Sequence, residues 1–307
     1  MPANSVIGVD VGGTKILAGV VGRDGDGVRS RETPTPTGSE EEFLRGLETA
    51  IEAVAEGGDG IAGVGLGMPS LIDQQAGEAV SSVNIPLAGV SIRERISQRF
   101  GLPVGLDNDA NAAAVAEWAF GSGHGTRDMI MLTLGTGVGG GLILDGRLYR
   151  GATGAGAELG HIVIVHDGPP CQGSCTGHGH LEALVSGGAA HRIAREVIGP
   201  GATPQNLLEG ARTGDGDAAR AVDLMGRHLG SGIGSLANIF EPELVVIGGG
   251  FGAVAAELLL PPAREVLARE ALVPTRDHVR IELARLGPEA GLVGAGLVGF
   301  EAADGLL

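Results

Sequence analysis

The sequence predicts an α/β protein built from two domains of similar topology. The chain of 307 residues is long enough for two hydrophobic cores. Short segments rich in β-branched residues alternate with longer helix-like segments, which is typical of sheets that are at least partly parallel. One strand–turn–strand pattern also occurs twice, which indicates that the same supersecondary unit is used in both halves of the chain.

The predicted elements alternate along the whole chain. Strand-like segments lie at 5–10, 16–21, 61–66, 103–106, 129–134, 141–144, 161–165 and 243–247. Helix-like segments lie at 39–56, 91–100, 109–120, 181–198, 217–239, 253–270 and 288–303. The first of these helices has three glutamates after Ser39, a residue type that commonly caps helices, so we expect it to begin there.

The repeated pattern relates residues 8–21, GVDVGGTKILAGVV, to residues 132–144, LTLGTGVGGGLIL. Aligned without a gap, Gly12 falls on Gly135. Each copy reads as a strand, a turn of glycine and threonine, and a second strand. Two such hairpins suit a ligand that is small and rich in oxygen.

Phosphate is the ligand that these hairpin tips favour. Backbone N–H groups of a glycine turn can approach phosphate oxygens because no Cβ intervenes, and threonine hydroxyls add donors. Beside the first tip, Asp10 can hold Mg²⁺ directly or through water, and Lys15, the only lysine in the chain, adds a positive charge. Turns that merely join strands are the alternative. The tip residues are Gly12, Gly13 and Thr14 in the first copy and Gly135, Thr136 and Gly137 in the second.

A third glycine cluster, Gly248, Gly249 and Gly250, follows the strand-like segment 243–247 and precedes the helix-like segment 253–270. A strand, a glycine turn and a helix present a helix N-terminus and bare backbone to a nucleotide. The cluster does not match the dinucleotide-binding fingerprint, so by itself it indicates a nucleotide site only weakly.

Three polar residues, Asp107, Asn108 and Asp109, separate a short strand from an alanine-rich helix. Asn or Asp at such a junction is often only a helix N-cap. The functional alternative is that Asp109 is a general base, because phosphoryl transfer to a hydroxyl needs a carboxylate that accepts the proton. Asn108 would then hydrogen-bond a neighbouring hydroxyl.

Both cysteines of the chain lie in one stretch, 156–182, that is rich in histidine and glycine. Two thiolates and two imidazoles would complete the tetrahedral coordination that zinc prefers. A flexible loop with incidental thiols is the alternative. The candidate ligands are Cys171, Cys175, His161, His166, His178 and His180, and the carboxylates of Glu158 and Glu182 flank them.

Composition argues against several classes of protein. The net charge of −16 and a pI of about 4.8 would repel a polyphosphate partner, so we expect no nucleic-acid binding. The opening MPANSVIGVD lacks the features of a signal peptide, and the apolar stretch 244–262 is interrupted by glycines, Glu257 and two prolines. Two cysteines do not make a disulfide framework. We therefore expect a cytoplasmic protein without a membrane span.

Five motifs together resemble the ROK family of sugar kinases, repressors and open reading frames, and within it the bacterial glucokinase-like enzymes. The motifs are DVGGTK, NDANAAA, GTGVGGG, GAELGH and NIFEPELVVIGGG, and they occur in the family order over nearly the whole chain. The resemblance implies the actin-like, hexokinase-like ATPase fold, with two RNase-H-like domains around a cleft. We accordingly expect a small domain at 1–110, rejoined by a helix at 290–307, and a larger domain at 111–289 that carries the metal loop.

The resemblance also implies roles for the candidate residues. Asp109 is similar to the base that takes the proton from the 6-hydroxyl of the sugar, and Asp10 lies near Mg²⁺. The implied ATP-binding residues are Asp10, Gly12, Gly13, Thr14 and Lys15 in the first loop, Gly135, Thr136 and Gly137 in the second, and Gly248, Gly249 and Gly250 on the adenosine side. The implied sugar ligands are Asn84, Asn108, Asp109, Glu158, His161 and Glu182.

The sequence departs from the family pattern at Ser70 and, in the metal loop, in its wider cysteine spacing, at His180 and at Thr176, which replaces a glycine. Ser70 replaces a glycine close to the sugar, which bears on the choice of sugar and not on the chemistry. In the metal loop, His180 stands in register with the third cysteine of the family, so a structural Zn²⁺ is expected on His161, Cys171, Cys175 and His180. His178 is the rival for the fourth position.

We therefore expect an ATP- and Mg²⁺-dependent kinase that phosphorylates a hexose at the 6-hydroxyl, with glucose as the first choice. The alternatives are a kinase for N-acetylmannosamine, N-acetylglucosamine or fructose, and a non-catalytic sugar sensor. Only nine residues precede Asp10, too few for the DNA-binding module of the family's repressors. The resemblance also implies a homo-oligomer, either a dimer or a tetramer.

Overall fold

The computed structural model describes residues 5–55, 60–82, 85, 87 and 89–307. Contacts between Cα atoms divide the chain into two compact units. Unit 1 consists of Met1–His124, Leu148–Ala157 and Pro288–Leu307, and unit 2 consists of Gly125–Arg147 and Glu158–Gly287. Unit 1 therefore extends past residue 110 and includes a short segment from the middle of the chain.

Strands make up the centre of both units. In chain order they are β1 (Ser5–Val11), β2 (Lys15–Gly22), β3 (Gly27–Pro34), β4 (Ile61–Met68), β5 (Ser70–Asp73), β6 (Glu78–Ser82), β7 (Val104–Asn108), β8 (Met129–Leu134), β9 (Val138–Leu144), β10 (Arg147–Leu148), β11 (Leu244–Gly248) and β12 (Arg280–Leu283).

Helices cover these strands. They are α1 (Glu40–Ala55), α2 (Ile92–Phe100), α3 (Asp109–Phe120), α4 (Leu181–Val185), α5 (Gly187–Val197), α6 (Pro204–Thr213), α7 (Gly216–Phe240), α8 (Gly250–Glu270), α9 (Thr275–His278) and α10 (Ala290–Ala303), with 3₁₀ turns at Leu159–His161 and Gly287–Glu289. Among the described residues, no helix is both long and apolar enough to span a membrane.

The two units contain five-stranded sheets of matching order, β3-β2-β1-β4-β7 and β10-β9-β8-β11-β12. In unit 1, β1 is antiparallel to β2 and parallel to β4. In unit 2, β8 is antiparallel to β9 and parallel to β11. The last pairs, β4 with β7 and β11 with β12, are also parallel. The duplication predicted from the two glycine–threonine hairpins is therefore confirmed.

The sheet of unit 1 is covered on both faces. One face packs against α1 and α2 through fully buried side chains that include Phe43, Leu47 and Ile96. On the other face α10 lies so close that a Cβ on Gly65 of β4 would overlap the backbone of α10. A Cβ on Gly294 of α10 would likewise overlap the backbone of α3. Glycine at these positions lets α3, α10 and the sheet form one compact unit.

The helices α7 and α8 form successive layers on the sheet of unit 2. Strand β11 is buried over its whole length, as is most of β8. Helix α8 packs on these strands, and α7 packs on α8. Close approach of the two helices is possible because Gly230 of α7 lies against the backbone of Ala263 in α8.

The predicted strand at 161–165 is wrong. His161 ends a 3₁₀ turn, and Val163 pairs with His180 only through an isolated bridge. The amides of the next two residues both donate to the carbonyl of Gly179, at 2.8 and 3.1 Å, so no continuous ladder forms.

The helix predicted at 181–198 is two helices, α4 and α5, which meet at Ser186. The backbone of Ser186 is extended, and its Oγ accepts a hydrogen bond from the amide of Ala189 at 3.0 Å. Ser186 is therefore an N-cap that starts a new helix inside an apparently continuous pattern.

Candidate functional site

The first glycine–threonine tip joins β1 to β2 in unit 1. The amide of Gly12 donates to the carbonyl of Lys15 at 2.8 Å, which closes the turn. The hydroxyl of Thr35, the residue after β3, donates to the carbonyl of Gly12 at 2.7 Å and supports the turn. Thr14 and Lys15 are exposed, so the polar end of this loop is available to a ligand.

The two charged residues at this loop, Lys15 and Asp10, differ in their exposure to solvent. The Lys15 ammonium is exposed and pairs with Glu32 at 2.7 Å. Burial raises the pKa of Asp10 to about 6, and nearby Lys15 opposes this shift. Asp10 is thus a carboxylate for which a bound cation would favour the charged form. This property fits the expected Mg²⁺.

Asp10 and the polar junction after β7 lie at the same edge of the unit 1 sheet. Asp10 is in register with Gly67 of β4, and Gly67 is in register with Asp107 of β7. Neighbouring strands are about 4.8 Å apart, so the two aspartates are separated by roughly 10 Å. Ligands of α/β proteins bind at this carboxyl edge of parallel strands. The first loop and Asp109 are therefore brought together within one unit.

Asn108 is the N-cap of α3. Its Oδ1 accepts hydrogen bonds from the amides of Ala110 and Asn111, at 2.9 and 3.3 Å. Its Nδ2 donates to the carbonyl of Ser70 at 3.3 Å. The capping interpretation of Asn108 is therefore correct, and a sugar hydroxyl would have to use the remaining N–H of the amide. The Ser70 side chain is buried and donates to the carbonyl of Leu71.

Asp109 opens the first turn of α3 and is partly buried. Its Oδ1 accepts a hydrogen bond from the amide of Ala110 at 2.9 Å. The carboxylate is thus held at the N-terminus of α3. The remaining expected sugar ligand of this region, Asn84, lies outside the described residues.

The second tip joins β8 to β9 in unit 2 and is anchored to α5. The amides of Gly187 and Gly188 donate to the carbonyls of Gly135 and Thr136, at 2.8 and 3.0 Å. A Cβ on Gly135 would meet no atom within 4 Å. A Cβ on Gly137 would overlap the carboxylate of Glu182. The two glycines therefore serve different ends: Gly135 faces open space, and Gly137 makes room for Glu182.

The glycines of the third cluster, Gly248, Gly249 and Gly250, also differ in whether they face protein atoms or open space. A Cβ on Gly248 would crowd Met131 at 2.7 Å, and Gly249 has a φ of +83° against the backbone of Leu134. The fold therefore requires glycine at Gly249, whereas at Gly248 only the end of the flexible Met131 side chain would have to move. Gly250 faces open space at the first turn of α8, a helix of 21 residues. Of the three, Gly250 is the one placed to let a nucleotide approach the helix N-terminus.

Glu158 and His161 lie at either end of one 3₁₀ turn in unit 2. Glu158 Oε2 is 3.9 Å from His161 Nε2. Burial raises the pKa of Glu158, while His161 lowers it and Glu182 raises it further. The other ring nitrogen of His161, Nδ1, points to the cysteine cluster. Metal-binding histidines commonly have a carboxylate on the second nitrogen, which orients the ring.

Four side chains of unit 2 form a compact cluster with metal-ligand chemistry: His161, Cys171, Cys175 and His180, whose ligand atoms all lie within 4.8 Å of one another. The Nδ1 atoms of the two histidines are 3.2 Å apart, and each lies 3.6 Å from one cysteine Sγ. Zinc bonds of about 2.1 Å to nitrogen and 2.3 Å to sulfur would separate tetrahedral ligands by about 3.3 to 3.8 Å. The donor types and these three separations fit Zn²⁺.

His178, the rival fourth ligand, is exposed and outside the cluster. Its Nδ1 lies 3.3 Å from the carbonyl of Gly168.

Burial raises the pKa of Cys171 to about 12, and the nearby Glu182 adds to the shift. Without a cation the Cys171 thiol keeps its proton, so metal binding must displace it.

Two residues, Gln172 in unit 2 and Arg150 in unit 1, carry contacts that no sequence pattern indicated. Gln172 donates from Nε2 to Ser186 Oγ at 2.6 Å, and so ties the metal loop to the start of α5. Arg150 pairs with Asp107 at 2.6 Å and with Glu301 at 2.5 Å. In the sequence, Gln172 lies between the two cysteines, and Arg150 lies shortly before the GAELGH motif. No residue pattern near either position predicts its hydrogen-bond partner.

Comparison with known proteins agrees with this description. The model of the ROK family matches residues 6–299. A glucokinase of Streptomyces coelicolor is 38% identical, covering 94% of this chain and 95% of that protein. The crystal structure of a ROK family glucokinase from Streptomyces griseus in complex with glucose and AMPPNP is 36% identical, with a TM-score of 0.82 over 97% of this chain and 99% of that one.

A ROK hexokinase from Thermus thermophilus is also 36% identical, with a TM-score of 0.86 over 98% of this chain and 99% of the other. The chain therefore has the actin-like ATPase fold of these enzymes, in agreement with its two sheets of matching order. With a family match over nearly its whole length and the five motifs in place, this chain belongs to the ROK family.

Proposed function

We propose that the protein is an ATP-dependent hexose kinase that phosphorylates the 6-hydroxyl, with glucose as its preferred sugar. The observation that carries this proposal is the shared edge of the unit 1 sheet, where Asp10 of the first loop lies two strands from the Asp107–Asp109 junction. A phosphate-binding loop beside a carboxylate is what transfer to a hydroxyl requires. Glucokinases among the similar proteins support the choice of sugar.

Asp109 is the general base of the proposed reaction. It accepts the proton of the 6-hydroxyl as the hydroxyl oxygen forms a bond to the γ-phosphorus of ATP and the bond from that phosphorus to the β-phosphate oxygen breaks. The products are the hexose 6-phosphate and ADP. A correctly positioned base contributes about a hundredfold to ten-thousandfold to such a step.

We assign nucleotide-contacting backbone to the hairpin tip of unit 1 and, separately, to the hairpin tip and the start of α8 in unit 2. Thr14 and Lys15 of unit 1, and Gly135, Thr136 and Gly250 of unit 2, have the exposure or open space that phosphate groups need. Mg²⁺ bound through Asp10 would supply neutralising charge to the phosphates. The bound AMPPNP of the Streptomyces griseus enzyme supports the use of ATP.

Two of the proposed sugar ligands, Glu158 and Glu182, have positions that are supported by the metal loop. We assign Zn²⁺ to His161, Cys171, Cys175 and His180, with a structural role because four protein ligands leave no open position. The cluster holds the turn that carries Glu158 and the start of α4, which carries Glu182. Asn108, Glu158, His161 and Glu182 are the proposed sugar-contacting residues, with Asp109 and Asn84.

An ADP-release assay with a panel of sugars tests the proposal. Glucose, mannose, fructose, N-acetylglucosamine and N-acetylmannosamine are each supplied with MgATP, and ADP release without sugar is subtracted. We expect glucose to give the highest kcat/KM and the product to be the 6-phosphate by ³¹P NMR. Sugar binding without any sugar-dependent ADP release would contradict the proposed activity. A higher kcat/KM for an acetylated hexosamine would reassign the substrate.

A further inference from the structure

We propose that Arg150 is a positioning residue for phosphoryl transfer: it holds Asp107, and through Asp107 it orients the segment of backbone that carries Asp109. The inference rests on the proposed function, because it assumes that Asp109 is the base. Arg150 belongs to no motif of the sequence analysis and has no other assigned role.

The contacts of Arg150 are short and sheltered. Nε donates to Asp107 Oδ2 at 2.6 Å, and Nη2 donates to Glu301 Oε2 at 2.5 Å. The Asp107 side chain is 0% exposed and that of Arg150 is 19% exposed. A buried carboxylate without a cationic partner is costly, and the Arg150 guanidinium is the cation that pairs with Asp107.

The second oxygen of Asp107 is directed at the junction between β7 and α3. Asp107 Oδ1 accepts from the amide of Asn108 at 2.8 Å and from Nδ2 of Asn111 at 2.9 Å. One carboxylate thus connects Arg150 to the backbone immediately before Asp109 and to the first turn of the helix that Asp109 begins. If the carboxylate turned, both of these hydrogen bonds would be lost and Asp109 would move with them.

The segment that carries Arg150 is attached to the same strand a second time. The amide of Gln74 donates to the carbonyl of Thr153 at 3.0 Å, and Gln74 Nε2 donates to the carbonyl of Leu106 at 2.7 Å. Residues 148–157 are therefore connected to β7 directly at Asp107 and, through Gln74, at the neighbouring Leu106. These attachments place the segment in unit 1, although the chain on either side of it belongs to unit 2.

Arginine is suited to this position because its planar fork can bind two carboxylates at once and stays charged at all relevant pH values. A lysine would offer a single point charge and could not reach both partners with the same geometry. The competing explanation is that Arg150 only anchors α10 through Glu301. The two partners of Arg150 allow these explanations to be separated.

The test compares Arg150→Gln with Asp107→Asn and Glu301→Gln, each assayed for kcat, for KM of sugar and MgATP, and for thermal stability. We expect Arg150→Gln and Asp107→Asn to lower kcat by about tenfold to a hundredfold, because small displacements of a reacting group have effects of that size. Both KM values should stay within about threefold, and Glu301→Gln should keep kcat within about threefold. The double variant R150Q/D107N should be no slower than the slower single variant, since the two residues act as one unit.

A second measurement guards against misfolding. Added guanidinium should restore part of the kcat of Arg150→Ala, and Arg150→Lys should lie between wild type and Arg150→Gln. Equal losses of kcat in Arg150→Gln and Glu301→Gln, with wild-type kcat in Asp107→Asn, would overturn the inference and leave Arg150 as an anchor of α10.

Asp109→Asn is measured alongside to separate this inference from the proposed function. If that variant is inactive while Arg150→Gln is not impaired, only this inference fails; if it retains full turnover, the proposed base is wrong.

Discussion

The carboxylate of Glu182 accepts a hydrogen bond from the amide of Val138 at 2.8 Å. Val138 is buried and begins β9 directly after the second glycine–threonine tip. The other oxygen of Glu182 lies 3.6 Å from the Sγ of Cys171. One side chain of α4 therefore contacts both the proposed nucleotide loop and the proposed metal cluster of unit 2.

This contact predicts different outcomes for two substitutions of Glu182. Glu182→Gln keeps an oxygen that can accept from the Val138 amide, whereas Glu182→Ala leaves a buried donor unpaired at a cost of about 1–3 kcal/mol. We expect Glu182→Ala to weaken nucleotide binding in the absence of sugar by roughly fivefold or more, and Glu182→Gln to preserve it. Sugar affinity should fall in both variants. Calorimetric titration with each ligand alone measures these effects, and unchanged nucleotide affinity in Glu182→Ala would show that the contact does not support the loop.

The open space at Gly135 predicts a selective effect on the nucleotide. Gly135→Val meets no protein atom at its Cβ, so the fold should tolerate it while the side chain blocks the approach of phosphate. We expect nucleotide affinity to fall by about tenfold or more, through lost hydrogen bonds to a charged group, with sugar affinity nearly unchanged. Gly137→Val is the matched comparison: its side chain would displace Glu182, so both ligands should bind more weakly. Equal effects of the two variants on both ligands would contradict this division.

Asp109→Asn tests the general base. The amide keeps an oxygen that can accept from the Ala110 amide, so α3 should remain intact. We expect kcat to fall by about a hundredfold to ten-thousandfold while sugar and nucleotide affinities change only a few-fold. Asp217→Asn, an exposed acid in the first turn of α7, is the control for charge loss and should retain wild-type kcat. Near wild-type turnover in Asp109→Asn would show that Asp109 is not the general base and has only a structural role at the start of α3.

The raised pKa of Asp10 predicts a pH-dependent gain in stability when its charge is removed. Its folded-state pKa of about 6 lies above the ordinary 3.8, so the ionised form opposes folding above pH 6 and the effect disappears below about pH 4. The shift corresponds to about 3 kcal/mol. Without Mg²⁺ or nucleotide, we expect Asp10→Asn to unfold at a higher temperature than wild type at pH 8, and the difference to shrink toward pH 4.

Exposed Asp24 provides the control for this measurement, since Asp24→Asn removes the same charge from the same unit. Calorimetry of the three proteins between pH 4 and 8 would reveal the trend. If Asp10→Asn were no more stable than Asp24→Asn at pH 8, burial of the Asp10 charge would carry no cost.

The cysteine–histidine cluster predicts one zinc ion for each chain. His180→Ala should lose the metal, because Nδ1 of His180 lies among the ligand atoms, and His178→Ala should keep it because that ring is exposed elsewhere. Metal removal by a strong chelator should weaken sugar binding, since the cluster supports Glu158 and Glu182. Elemental analysis of protein purified without added metal provides the measurement. Fully active protein without zinc would rule out the site, and loss of zinc only in His178→Ala would reassign the fourth ligand.

The glycine positions illustrate what composition alone could not explain. The chain has 57 glycines, and not all of them lie at turns and loops. Several instead lie within strands and helices, as Gly65 and Gly294 do, where a Cβ would overlap the backbone of a neighbouring element. Such an approach involves elements far apart in the chain, so no local pattern reports it.

Local interactions explain most of what the sequence determined by itself. A hairpin tip, a helix cap and a cluster of ligands such as Cys171 and Cys175 depend on residues only a few positions apart, so their residue types and spacing predict them. The two glycine–threonine hairpins, the strand–helix junction at Asp109 and the cysteine–histidine cluster were predictable for this reason. The predicted strand at 161–165 was wrong because its apolar pattern could not reveal that its amides pair with Gly179.

Tertiary structure alone decided which distant residues share a hydrogen bond or a buried charge. Arg150 meets Asp107, which is 43 residues away, and Glu301, which is 151 residues away. Glu182 meets Val138 across 44 residues. Partners at such separations are set by the path of the whole backbone, and the cost of burying a charge arises only when packing has removed the water around it. The sequence therefore determined which groups carry the proposed chemistry, and the fold determined which residues hold those groups in position.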